Sequence, residues 1–158
     1  MSNIILKCNE IIKPSGIITC TKRDWKTGEI LSVNRYDNLI VNVWKNATAN
    51  RYGQVGNDCD ITYGAVGTDG TAPTVSDTTL TTELDRSLIT DISASSNVVT
   101  FYVFFDAADA NGTLLEFGAF GEAATSSADS GTMVNHVLIN EIKSSSQTLL
   151  FQCKITVS

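Results

Sequence analysis

Across residues 148–157 apolar and polar side chains alternate: Leu149, Phe151, Cys153, Ile155 and Val157 fall on one side, Gln152, Lys154 and Thr156 on the other. A period of two belongs to a strand with one face in a core and one in water. The segment 98–106 goes further. Val99, Phe101, Val103 and Phe105 share one face while Val98, Tyr102 and Phe104 make the other apolar too, so this strand belongs inside a sheet. With 46 residues of Ser, Thr or Asn and only 2 Pro, the composition favours strands and side-chain-capped turns over helices.

Further strands read at 17–23, 29–36, 61–66, 87–94, 114–120 and 133–139, with Asn111-Gly112 as a strong turn dipeptide. The first two flank Asp24-Trp25-Lys26-Thr27-Gly28 and make an N-terminal hairpin at about 16–36. Trp44, Ala47 and Arg51, three and four apart with no Gly before Gly53, predict one short helix near 43–54, with Asn42 as its cap. Ser76 or Asp77 is placed to cap a further single turn, and the small-residue stretch 123–131 reads as a mobile loop. About eight strands at this spacing predict a mainly β chain, a single-domain antiparallel β-sandwich, jelly-roll-like, over residues 1–158.

The charge is uneven. Residues 1–55 carry eight Lys or Arg against four acids, and residues 56–158 three against thirteen. Between Tyr52 and Lys143 the only cation is Arg86. So sparse a basic set in a chain of net charge −6 excludes a nucleic-acid partner, which needs clustered cations. No run of 18 apolar residues exists, so no membrane insertion is expected. The start, MSNIILKCNE, lacks the basic and long apolar regions of a signal peptide.

Chemistry is sparse as well. Cys8, Cys20, Cys59 and Cys153 form no close pair and read as reduced, mostly buried thiols; with one histidine, no metal site and no cofactor are expected. His136 sits in an alternating strand, and no Gly-x-Ser-x-Gly elbow accompanies it. Asp109-Ala110-Asn111-Gly112 echoes part of a calcium loop, but no Glu falls at the closing position. No catalytic residue is assigned, and the chain is not expected to be an enzyme. Two features stand out instead. Trp25, between Arg23 and Lys26 at a hairpin tip, has the composition of a partner contact. Arg86 needs a carboxylate, and Glu116, set between apolar residues, is the first choice for a structural ion pair.

Several motifs together resemble a family of small tailed-bacteriophage structural proteins, described as tail-fibre, minor tail or virion proteins. They are Asn38-Leu39-Ile40-Val41-Asn42, Ile61-Thr62-Tyr63-Gly64-Ala65-Val66-Gly67-Thr68, Thr71-Ala72-Pro73, Ser76-Asp77-Thr78-Thr79-Leu80 with Glu83 and Arg86, Asn111-Gly112-Thr113-Leu114, Glu116-Phe117-Gly118-Ala119-Phe120 and Gly131-Thr132-Met133. With the Thr27-Gly28-Glu29 turn, the resemblance spans roughly residues 16–157. It implies a component of the virion exterior, on the tail or decorating the capsid, assembled in the host cytoplasm, whose partners are other virion proteins and copies of itself, as a homotrimer. Arg86 and Glu116 fall where that family has its Arg and Glu. The alternative is a carbohydrate-binding β-sandwich recognising a host-surface glycan, for which Trp25, Tyr52 and Tyr63 are the available aromatics.

Overall fold

The computed structural model describes residues 14–56 and 58–157. Cys8 and the start of the chain lie outside the described residues. Eight strands and one helix follow in the order β1 (Ser15–Asp24), β2 (Ile30–Ile40), α1 (Asn42–Tyr52), β3 (Ile61–Gly67), β4 (Glu83–Ser95), β5 (Val98–Phe105), β6 (Gly112–Gly121), β7 (Thr132–Lys143) and β8 (Gln147–Thr156). All pairings are antiparallel, and the strands close into a barrel in the order β1-β2-β7-β6-β3-β4-β5-β8.

The closure corrects the jelly-roll-like sandwich expected from the sequence. Two strands change partner part-way along. β2 pairs with β1 from Ile30 to Asn38, then turns to β7 with Leu39 and Ile40. β4 pairs with β3 from Glu83 to Leu88 and with β5 from Ile89 to Ser95. Each joins the two walls at a corner, so the sheets a sandwich would leave open are stitched together. Alternation along a strand marks inside from outside in both architectures and carries no information about closure.

The interior is filled by side chains. Phe101, Phe105, Phe117, Phe151, Leu114 and Leu149 are fully buried there, while Phe120, on the opposite face of β6, is buried beneath Arg86. Phe117 stacks on Phe151 with centroids 4.6 Å apart, and Phe105 meets Phe151 edge-on at 6.0 Å. Val157 departs from the expected inward row: it lies beyond β8 and is 36% exposed. Cys20 on β1 and Cys153 on β8 are buried free thiols, and burial drives the pKa of both upward.

The helix closes one end of the barrel, burying Trp44 and Ala47. Its N-cap is Val41 in an extended conformation with no side-chain bond, so Asn42 is the first helical residue rather than the cap. No helical turn follows Ser76 or Asp77. That stretch runs as a strap from β3 to β4 across the outside of β6 and β7, with Leu80 buried beneath it. Gly118 makes the crossing possible, because a Cβ there would stand 3.1 Å from Leu80 Cδ2 and 3.0 Å from the Asn135 carbonyl.

Candidate functional site

The hairpin tip is a built turn. Asp24 accepts bonds from the Lys26 N–H (2.9 Å), the Thr27 N–H (2.8 Å) and the Thr27 hydroxyl (3.1 Å). These bonds, the Thr27 N–H foremost, hold the Asp24 carboxyl below its usual range. Arg23 Nη1 donates to the Gly28 carbonyl at 2.9 Å, and Gly28 takes φ +73°, the left-handed region glycine favours. The Trp25 N–H donates to Ser146 on the β7–β8 turn at 3.0 Å. On this frame Trp25 is 51% exposed, with Lys26 Nζ 5.7 Å from its ring centroid. The structure thus gathers Arg23, Trp25 and Lys26 on one tip, with Arg23 bracing the turn.

Arg86 and Glu116 are not brought together. Arg86 pairs with Glu83, Nε to Oε1 at 2.5 Å and Nη2 to Oε2 at 2.7 Å, both side chains almost wholly buried. This corrects the expected Arg86–Glu116 pair. The register between β3 and β4 shifts beside Val66 and Gly67, where Glu83 and Asp85 face successive β3 residues and Leu84 is extra. Such a bulge puts Glu83 on the same face as Arg86, three residues away, where a regular strand would have put it opposite. Arg86 Nη1 also donates to Thr125 and Ser130, and the guanidinium lies 4.8 Å from the Phe120 ring centroid. The 123–131 loop, expected to be mobile, is therefore anchored by Arg86.

Glu116 serves the strap. Its Oε2 accepts the Thr81 N–H at 2.9 Å and its Oε1 the Thr82 N–H at 2.8 Å. Buried His136 lies 3.0 Å from Glu116 through Nε2 and 2.7 Å from Asp77 through Nδ1. Asp77 also takes the Thr74 N–H and hydroxyl; burial pushes its carboxyl up, but these bonds and His136 outweigh it and hold it low. Both ring nitrogens are occupied by structural carboxylates, so the imidazole has no free nitrogen to offer a substrate. The imidazole also stands between the two carboxylates, and among the described residues no group of three His, Cys, Asp or Glu is arranged to hold a metal ion.

Two more charged groups, absent from the sequence reading, fill gaps in the wall. Where β2 and β7 part, Glu141 bridges them, taking Asn34 at 2.7 Å, Tyr36 at 2.9 Å and the Lys22 ammonium at 2.8 Å. Lys143 occupies the loop that echoed a calcium site, donating to the carbonyls of Ala107 (3.2 Å) and Asp109 (2.7 Å) and to Asn111 Oδ1 (3.1 Å). The only sequence signal for either was a charge at an inward position of β7.

The aromatics of the carbohydrate reading are scattered. Trp25 stands at the hairpin end, Tyr52 ends α1 at the opposite end, and Tyr63 lies against Arg86, 5.8 Å from ring centroid to guanidinium. The end of the barrel beside α1 carries a groove of about 460 Å³ lined by Trp44, Cys59, Ile61, Ile92, Val99 and Ile155. No family model, curated protein or solved structure matches the chain.

Proposed function

We propose that this protein is a structural component of a tailed-phage virion exterior, working through protein–protein assembly contacts and not through catalysis. The observation that carries the reading is Trp25, half exposed on a braced turn beside Lys26 at one end of a barrel whose interior is packed with side chains. An aromatic side chain carried on a fixed turn needs little backbone ordering when a partner covers it, and aromatic and Arg residues dominate interface energetics. The titratable clusters support the same reading, since His136, Glu116, Arg86 and Glu83 are all spent on holding the strap and the 123–131 loop. The motif resemblance supplies the virion context and the homotrimer. The scattered aromatics do not favour the glycan reading.

Gradient-purified virions of a phage encoding the chain provide the test. The protein should co-migrate with the particles at a stoichiometric copy number, measured by quantitative mass spectrometry of the particle peak. A chain that stays in the soluble fraction while complete particles band without it would overturn the proposal.

A further inference from the structure

The barrel has two unlike ends. The tip is tied to the start of β8, through Asp24 paired with Gln147 and the Trp25 N–H on Ser146, while Ile155 at the other end of that strand lines the groove beside α1. Gln147 and Ile155 are eight residues apart on β8, so at about 3.3 Å per residue tip and groove lie on the order of 25 Å apart. One end thus offers a projecting indole and the other an apolar recess. The recess is within the size range of sites that bury most of a small ligand.

The charges immediately beside the indole and beside the groove are of opposite sign. Lys26 sits over the exposed ring as the cation beside the indole, while the ionised Asp24 is turned onto its own N–H and hydroxyl donors and, with Glu29, balances Arg23 and Lys26 over the turn as a whole. Asp60 lines the groove, and Asp58, two residues before it, is paired with Arg51 at 3.3 Å. The Cys59 thiol feels this field. Burial pushes its pKa up first, and Glu122, Asp60 and Asp58 add to that against the opposing Arg51.

From this pairing we infer that a second copy of the chain docks head to tail, its Trp25 tip seated in the groove between α1 and the β4–β5 end of the barrel. This rests on the assembly reading above and names the surface that would receive the tip. A contact between two different patches on identical chains is heterologous, and it closes into a ring where the rotation permits, a cyclic trimer included. Burial of the indole supplies the affinity, and Lys26 beside it meets the Asp60 carboxylate at the groove.

The test mixes two disabled full-length chains. Trp25→Ala removes the tip, and Ile92→Arg obstructs the groove at a side chain that is 48% exposed and so not needed by the core. In analytical ultracentrifugation the wild type should associate with rising concentration, and each variant alone should associate about thirty-fold more weakly. Mixed, the two should form a one-to-one dimer, because one keeps its groove and the other its tip. Unchanged circular dichroism melts show that both variants fold. A wild type that is monomeric throughout, or a Trp25→Ala chain that associates like wild type, would overturn the inference. Loss in Ile92→Arg but not in Trp25→Ala assigns the groove to a different segment and overturns it too. Loss in both without recovery on mixing shows that tip and groove do not meet each other and rejects the head-to-tail geometry. Incorporation into virions is measured separately, so failure here leaves the structural-protein reading standing.

Discussion

Arg86 and Glu83 face each other through two parallel hydrogen bonds, and together they tie a loop to the barrel wall. Glu83 Oε2 also accepts the Asp129 N–H at 3.1 Å, and Arg86 reaches Thr125 and Ser130 in the same loop. Both side chains are almost without solvent contact, so removing either strands a buried charge. Arg86→Met should cost about 3–5 kcal/mol in urea denaturation, and the double change Arg86→Met/Glu83→Leu should recover part of it. Combining Arg86→Met with Glu116→Leu should give simply additive losses. A cycle in which Glu116, rather than Glu83, couples to Arg86 would contradict the pairing.

The interior makes a second demand. Phe101 and Phe151 sit at zero exposure, and Phe151 touches both Phe105 and Phe117. Truncating either to Ala leaves a void that the closed wall cannot collapse around. Each should lose about 3–5 kcal/mol, read as a fall in the midpoint of thermal unfolding. A midpoint within a degree or two of wild type would show that the ring is not where the packing places it.

Much of this core was legible beforehand, because period-two patterning survives whatever the topology. The run expected at 148–157 is β8 at Gln147–Thr156, and the helix expected at 43–54 is Asn42–Tyr52. What the pattern lacks is partner choice. Closure depends on β2 and β4 changing neighbours part-way, and a strand that does so carries the same alternation as one that does not. The Arg86 partner was hidden for a related reason. β4 begins at Glu83, four residues before the expected 87, and the extra Leu84 moves Glu83 to the Arg86 side. Glu116 and His136 found their partners in the strap at Thr81, Thr82 and Asp77, a placement no local spacing encodes.

Acid should loosen the β2–β7 gap. Burial raises the Glu141 carboxyl, but the bonds from Lys22, Asn34 and Tyr36 outweigh it and hold the pKa below its ordinary 4.5. A carboxyl depressed in the folded state stabilises fully above its unfolded value. That contribution is lost as pH falls from about 4.5 down through the lowered folded value. Glu141→Gln should therefore be less stable than wild type at pH 7, by about 1–3 kcal/mol, with a flatter decline below pH 4.5. Parallel acid limbs for the two proteins in pH-dependent urea midpoints would remove Glu141 from this role.

Gly28 shapes the turn that presents Trp25. Gly28 holds φ +73° with open space where a Cβ would stand, so a side chain there meets strain without a clash. Gly28→Ala should cost about 1–2 kcal/mol for the left-handed backbone alone, and Gly28→Asn less, since Asn tolerates that region. The same residue offers its carbonyl to Arg23, so a distorted turn also releases the guanidinium that braces it. Trp25 should then sample more orientations, seen as lower fluorescence anisotropy of an otherwise identical Trp44→Phe background, in which Trp25 is the single indole. An anchor that must be ordered on binding gives up affinity to that ordering. Gly28→Ala should accordingly weaken association without removing a contact atom, and Gly28→Asn should restore most of it. Equal association by Gly28→Ala and wild type, at equal protein concentration, would show that the rigidity of the turn contributes nothing to the contact.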